Sequence, residues 1–458
     1  MIKKLKVTFC GGATTVTGAN FLLETVPESG EQQVKILIDC GLEQGSREAE
    51  TNNRKPFPYD VAKIDYLFVT HAHVDHVGRI PKLVKDGFKG KIFSTPETRK
   101  LAPIMLEDSM KVFSMDQSEL PPLYNEEDIV NAMKLWHDIP YDTCTELAGR
   151  LEVCAKDAGH ILGSVMYEFA YNGKKIVFTG DLGNSPTPLL RDTAVLTDTN
   201  YLVMESVYGD RNHESKEERR GKLENVIEEA YKRKGTLVIP CFSLEKTQVL
   251  LHEMNKLLSE GRIPEEPVYL DSPLAIKVTA IYQDKSRGFN EEVKAEMQHD
   301  DIFNFPNLKK INSAEESKAL LDSPSPKIII AGSGMSSGGR VVHHEQHYLP
   351  DERNTLLLIG YQALGTLGRH IQNGEKHVRI YGHDVPVRAK IETIFGYSSH
   401  KDSDGLLEFV SNTRDTLIKV FTVMGEPKAA MYLAQKIQDT LAVEAEHPHQ
   451  GESVILDF

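Results

Sequence analysis

Cysteine is scarce in this sequence and badly placed for cross-linking. The five residues, Cys10, Cys40, Cys144, Cys154 and Cys241, are odd in number, scattered through 458 positions and form no CxxC pair. That counts against a disulfide framework and against a thiolate zinc site, so any metal is expected on nitrogen and oxygen donors. Long apolar runs are missing as well. No stretch approaches the ~18 consecutive apolar residues of a membrane-spanning helix, and the start, MIKKLKVTFCGG, is too briefly apolar for a signal peptide. The expectation is a cytoplasmic chain with no membrane partner. A basic surplus is also lacking: the formal net charge is −14, which at first sight counts against nucleic acid, because phosphate binding leaves a basic footprint. The acidity is uneven, however. Residues 207–383 carry 24 basic and 26 acidic side chains, against 29 and 41 in the rest, so a locally positive cleft in the middle segment is not excluded.

What is present describes a globular protein with room for two or three domains. Up to about residue 206, short β-rich runs such as LKVTFCGG, VKILIDCG, YLFVT and KKIVFTGD read as strands joined by hairpins. Helical patterns near 96–112 and 125–136 interrupt them, and the single tryptophan, Trp136, reads as a packing residue. From about residue 214 strands and helices alternate (helices 214–234, 243–259, 274–285 and 339–348), the signature of a parallel sheet covered on both faces. After residue 384 the texture returns to that of the first part, with helices near 403–412 and 427–440. This predicts one domain split by a long insertion.

The residues with chemistry begin at THAHVDHVGR, where His71, His73, Asp75 and His76 fall within six positions at the end of an apolar strand. Buried imidazole and carboxylate groups are costly unless partnered. A strand-to-loop-to-helix junction lets such side chains converge on one point, and their donors suit zinc or a similar divalent ion. The pairing of His71 with His73 and of Asp75 with His76 suggests two ions. AGHILGS adds His160, and IVFTGDLGN places Asp181 at a strand end, so that one more histidine and a bridging aspartate complete a two-metal hydrolytic centre. Asp39, ending KILIDCG, fits a residue that holds the far nitrogen of a ligating histidine, and equally a turn-capping aspartate.

With these motifs in place, the chain resembles the metallo-β-lactamase-fold hydrolases over essentially its full length. The insertion makes it similar to the β-CASP nucleases, a family that includes the endonuclease subunit of mRNA 3′-end processing and ribonuclease J. Further residues carry that resemblance: Glu205 in MESVYGD, His400 in GYSSHKD, and the insertion segments PCFSLEKTQ, YLDSPLA, GSGMSSGG and GYQALGTLGR. It implies an α/β fold: a metallo-β-lactamase αββα sandwich, residues 1–208 and 384–458, holding an inserted β-CASP domain of parallel sheet flanked by helices, residues 209–383. It also implies hydrolysis of single-stranded RNA in the groove between domains, leaving 5′-phosphate and 3′-hydroxyl ends, with endonucleolytic and 5′-exonucleolytic action as open alternatives. A homodimer is compatible with it.

The implied cofactors are two divalent ions, Zn2+ first, with Mn2+ or Fe as alternatives; His71, His73 and His160 would hold one, Asp75 and His76 the other, with Asp181 between them. His400, aligned by Glu205, is the implied general acid. Lys246, Ser336, Ser337, Arg340, Thr366 and Arg369 are expected at strand-to-helix turns to meet phosphates. His343, His344 and His347 are expected to face solvent or phosphate. Two departures stand out. PCFSLEKTQ has Glu245 and Lys246 where relatives commonly have Gly-Arg. The family's third motif histidine is replaced by Met424 in VFTVMGEP, and thioether is a poor ligand for a hard ion; His447 and His449 are nearby substitutes in sequence. The alternatives are therefore a DNA nuclease of the same family, or a weakly active or non-catalytic RNA-binding scaffold.

Overall fold

Alternation along the strand Lys4–Gly11 puts Leu5, Val7 and Phe9 on one face, where they meet Tyr167, Phe169 and Phe178 from a second sheet. In the computed structural model, residues 4–26, 33–45, 47–115, 121–284, 288–363 and 365–458 are described. The chain divides into two compact units, Met1–Asn212 with His400–Phe458, and His213–Ser399.

The first unit holds two seven-stranded sheets. One runs Ser453–Asp457, Lys4–Gly11, Asn20–Val26, Lys35–Ile38, Tyr66–Phe68, Lys91–Ser94, Trp136–Asp138. The other runs Glu444–Glu446, Lys419–Val423, Tyr201–Glu205, Lys174–Phe178, Val165–Tyr171, Glu152–Asp157, Cys144–Glu146. Their inner faces share an aromatic-rich core, in which the Phe68 ring lies 5.0 Å from Tyr167, 5.2 Å from Phe93 and 5.4 Å from Phe169. Leu37, Leu67 and Ile92 on the outer face of the first sheet are covered by Ile80, Leu83, Ala102 and Leu106 of the helices Ile80–Lys85 and Pro96–Met115. Met166, Val177 and Leu202 of the second sheet are covered by Leu406, Phe409, Leu433 and Ile437 of Ser403–Ser411 and Pro427–Leu441. The result is the expected αββα sandwich, with strands after the insertion completing both sheets.

Three expectations are corrected here. The strands Lys35–Ile38, Tyr66–Phe68, Lys91–Ser94 and Trp136–Asp138 pair in parallel rather than as hairpins. Helices between them carry the chain back across the sheet, as parallel pairing requires. Cys144 and Cys154, expected unpaired, sit directly opposite on antiparallel strands with Cα atoms 4.1 Å apart and are joined by a disulfide. Cross-strand register, which spacing along the chain does not reveal, brings them together. Trp136 opens a strand rather than ending a helix, and its indole N–H donates to Ser94 Oγ at 2.8 Å.

The second unit is built on a six-stranded parallel sheet, ordered Leu308–Lys310, Val268–Asp271, Lys327–Ala331, Thr236–Pro240, Thr355–Ile359, Lys390–Ile394. All five residues of Thr236–Pro240, Lys327–Ala331 and Thr355–Ile359 are buried, as strands covered by helices on both faces must be. Among the described residues no helix is long and apolar enough to cross a membrane.

Phe68 links packing to the site, because its strand leads directly into Thr70 and His71. Phe68→Ala is expected to destabilise the protein by about 3–5 kcal/mol through cavity formation, read as a lower denaturant midpoint.

Candidate metal centre

Each chemistry-bearing side chain lies just beyond a strand of the sandwich. Tyr66–Phe68 delivers His71; a four-residue helix, Val74–Val77, presents Asp75 and His76; and Lys174–Phe178 ends shortly before Asp181. His160 lies in the connection between Glu152–Asp157 and Val165–Tyr171, where its backbone N–H donates to Ser164 Oγ at 2.9 Å. The short helix is pinned from below by Asp39–Leu42: Cys40 N–H donates to the His76 carbonyl at 2.8 Å and Leu42 N–H to that of Val74 at 2.9 Å. Gly41 is required for this approach, since a Cβ there would meet the Asp75 carbonyl oxygen at 1.5 Å.

These elements bring four donor atoms together. His71 Nε2 lies 3.1 Å from His73 Nδ1, and His160 Nε2 lies 3.3 Å from the same atom. Asp181 Oδ2 is 3.4 Å from both His71 Nε2 and His160 Nε2, and all four donors fall within 4.8 Å of one another. A tetrahedral ion with bonds of about 2.0–2.1 Å has ligand–ligand edges of about 3.3–3.4 Å, so the set fits a divalent cation. Its protonation fits too. Burial, then the neighbouring His71, keeps His73 well below the usual imidazole range, and burial, then His400, does the same for His160. Burial likewise lowers His71, with His76 adding to the effect. Nitrogens this close must share either a proton or a cation, and a divalent ion at the centre would engage all four donors at once.

A second, smaller set shares the aspartate: His76 Nε2 lies 3.4 Å from Asp181 Oδ1 and 3.9 Å from Asp75 Oδ2. Burial works to lower His76, but Asp181 and Asp39 on its two sides outweigh it and hold it well above its ordinary value. Burial similarly works to raise Asp181, but His76 and His71 hold it well below the carboxylate range. Asp75 is raised by burial, against the pull of His76.

Asp39, fully buried, receives His76 Nδ1 at 2.7 Å, the Thr70 N–H at 2.7 Å and the Thr70 hydroxyl at 2.7 Å. Thr70 is the residue that sequence reasoning missed. Its Oγ1 also lies 3.0 Å from His71 Nδ1, so one hydroxyl ties the aspartate to the histidine cluster. The visible signal was a hydroxyl residue immediately before the histidine run. On the far side, Glu205 is fully buried, and its carboxylate oxygens lie 3.2 and 3.1 Å from His400 Nδ1. Burial raises the Glu205 carboxyl, opposed by His400. His400 Nδ1 is 4.0 Å from Asp181 Oδ2.

Met424 is buried in the apolar core between the sheets. His447 Nδ1 meets the Thr422 carbonyl at 3.0 Å, and neither it nor His449 belongs to a donor group among the described residues.

In the second unit, most residues expected to meet phosphate are engaged internally. The Ser336 hydroxyl is buried against Glu345; the Arg340 guanidinium pairs with Asp271 at 2.6 Å and with two carbonyls. Thr366 caps the helix Leu367–Gln372, and Arg369 donates to the Gln362 carbonyl at 3.0 Å. Ser337 is exposed, and Lys246 is buried. His344, expected at the surface, is instead fully buried with Nε2 2.7 Å from Asp271, because its helix turns that face to the sheet. His343 stacks on Tyr381 with centroids 4.8 Å apart, and His347 meets Tyr348 edge-on at 4.7 Å.

Comparison with protein families matches three descriptions in succession: a metallo-beta-lactamase superfamily domain over residues 30–208, a Beta-Casp domain over 247–371, and a Zn-dependent metallo-hydrolase RNA specificity domain over 384–448. Ribonuclease TTHA0252 of Thermus thermophilus is 36% identical over 93% of this chain and 94% of its own. Transcription termination factor FttA of Methanosarcina mazei is 32% identical over 96% of this chain and 70% of its own. Among solved structures, a protein of unknown function from Enterococcus faecalis V583 aligns with a TM-score of 0.55 at 14% identity, covering 99% of this chain and all of that one, a likeness of fold alone.

Two measurements follow from this geometry. Asp39→Asn is expected to weaken divalent-metal affinity by about 10- to 100-fold, as loss of a carboxylate behind a ligating histidine does, in a chelator-competition titration; unchanged affinity would leave Asp39 a turn residue only. Glu345 is pushed up to about 8 by burial, so the fold keeps it protonated while the unfolded chain ionises above its ordinary ~4.3. Its contribution is present in full below that ordinary value and is lost as pH rises through about 8. Glu345→Gln is therefore expected to flatten the decline of thermal midpoint over that interval.

Proposed function

The chain belongs to the β-CASP family of metallo-β-lactamase-fold, metal-dependent hydrolases, and we propose that it cuts phosphodiester bonds of single-stranded RNA to leave 5′-phosphate and 3′-hydroxyl ends. The observation that carries this reading is the convergence of His71, His73, His160 and Asp181 on one point, with four donor–donor contacts of 3.1–3.4 Å, next to a pair formed by the buried Glu205 and the half-buried His400. RNA rather than DNA is favoured by the RNA-specificity match and by a relative named as a ribonuclease.

His71, His73 and His160 would hold one divalent ion, Asp75 and His76 a second, and Asp181 would offer one oxygen to each; Zn2+ suits the nitrogen-rich donor set, with Mn2+ and Fe as the alternatives. When bound, such ions lower the pKa of water and offset charge on the scissile phosphate. The rest falls to the chain itself. Asp39 accepts from His76 Nδ1, which fixes the tautomer that leaves Nε2 free to ligate. Thr70 Oγ1, donating to Asp39, stands ready to accept from His71 Nδ1, with the same consequence for His71. Glu205 holds His400 Nδ1, so the other ring nitrogen, Nε2, is the one that can carry a proton to the departing 3′-oxygen. The low-dielectric wall around Glu205 keeps that orientation without competition from water.

His73→Ala is expected to lose metal and cleavage together, whereas His400→Ala should retain metal and lose turnover by about 10²- to 10⁴-fold, the usual reach of a general acid. Metal analysis beside a gel assay on matched 5′-labelled RNA and DNA oligonucleotides checks both. Equal cleavage of DNA would move the substrate assignment, and an active His73→Ala protein would refute the metal assignment.

A further inference from the structure

Among the charged side chains of the second unit, Lys246 is the one whose surroundings ask for a ligand. It is the first residue of the helix Lys246–Ser259 and is 8% exposed. Its ammonium lies 4.5 Å over the Phe242 ring. Among the described residues it donates no hydrogen bond and has no carboxylate within ion-pair distance, and the nearby Cys241 thiol, which burial pushes up to about 12, is uncharged at neutral pH. Lys327, the other deeply buried lysine of this unit, shows the contrast: its ammonium donates to Leu320 O at 2.6 Å, Ser323 O at 2.5 Å and Ser323 Oγ at 2.8 Å. The neighbouring Glu245 is not a counterion for Lys246, since it accepts from the Tyr282 hydroxyl at 2.6 Å. The side chain is largely enclosed and its ammonium meets no protein acceptor, which leaves it available to an anion.

Its position in the sheet points the same way. Lys246 follows the C-terminal end of Thr236–Pro240, and the strand beside it in parallel, Thr355–Ile359, ends at Gly360. From the first strand the chain passes to Val268–Asp271, beyond Lys327–Ala331; from the second it passes to the opposite edge, Lys390–Ile394. Connections that leave in opposite directions open a crevice at the carboxyl ends of the strands, where ligands bind in open α/β sheets. The N-terminus of the fourteen-residue helix adds partial positive charge there. Gly360, at φ +89°, lets the lysine reach this end of the sheet: a Cβ there would lie 2.8 Å from the Lys246 ammonium and 3.9 Å from Ser398 Cα.

We propose that Lys246, with the helix it begins and the open backbone at Gly360, forms an anion site that takes a phosphate group of a nucleic-acid strand. The choice of a strand phosphate rests on the nuclease reading above; the choice of an anion does not. Burial lowers Lys246 to about 8, so the ammonium is still mostly charged at neutral pH, and a bound phosphate would raise it further. Lys246→Met keeps the volume and the contact with Phe242 while removing the charge. Its thermal midpoint in the absence of anions is expected to equal or exceed that of the unmodified protein.

The test has two arms on the full-length protein. In the first, inorganic phosphate is titrated while the thermal midpoint is read: the unmodified chain should rise and Lys246→Met should not. Equal shifts, or no shift in either, overturn the anion site whatever the chain cuts. In the second, anisotropy of labelled single-stranded RNA is followed in a His400→Ala background, with 5′-phosphate and 5′-hydroxyl ends compared. Lys246→Met should weaken binding by about 10-fold and reduce the slope of log affinity against log salt by about 0.7, one phosphate contact on a single strand. An effect confined to the 5′-phosphate oligonucleotide identifies a terminal phosphate; an equal effect on both identifies an internal one. RNA affinity and slope unchanged by Lys246→Met, with the phosphate arm positive, refute the strand as ligand. A positive first arm in a protein that neither binds nor cuts RNA leaves the anion site standing and removes the nuclease reading.

Discussion

Three imidazole nitrogens and a carboxylate oxygen held 3.1–3.4 Å apart in a buried pocket form a constraint that the surrounding sandwich exists to satisfy. Each of these donors needs a proton or a cation between it and its neighbours, and burial denies them water. The scaffold must therefore supply stiffness from elsewhere. It comes from the aromatic core around Phe68, from the backbone bonds that lock Asp39–Leu42 beneath the short helix, and from the approach that Gly41 alone permits. A cation at the centre would engage all four donors at once, which is the physical basis for assigning a metal here.

The supporting groups are arranged in opposed pairs of charge. Asp39 and Asp181 flank His76, and burial, which would drive its proton off, loses to them. On the other side, Glu205 is buried completely and tolerates it because His400 and the Leu182 N–H, at 2.5 Å, occupy its oxygens. Met424, at the position where the family resemblance led to the expectation of a histidine, takes the apolar solution instead: it fills core volume between the sheets. The second set of donors is correspondingly smaller than the first, and metal affinity is expected to differ between the two positions.

Much of this was legible in the sequence. The αββα sandwich was implied by the family resemblance, and the parallel sheet of the second unit followed from strict alternation of its elements. The histidine cluster was visible because three histidines and an aspartate in six positions have no ordinary structural use. What periodicity could not show was pairing across space. The parallel course of Lys35–Ile38 through Trp136–Asp138, the disulfide between Cys144 and Cys154, and the burial of His344 against Asp271 all depend on register and helix rotation. Ser336 and Arg340 illustrate the same limit: a polar residue in a glycine-rich turn looks ready for phosphate until the fold supplies it with Glu345 or Asp271. Lys246, by contrast, was assigned from its place in a family segment where it keeps a positive charge, and burial makes it the more consequential residue.

The most direct measurement of the central claim is anomalous diffraction from crystals of the unmodified protein loaded with zinc, recorded on both sides of the zinc absorption edge. The account predicts a peak equidistant from His71 Nε2, His73 Nδ1, His160 Nε2 and an Asp181 oxygen, with a second, weaker peak beside His76. Imidazoles turned away from one another around density that shows no anomalous signal would contradict it.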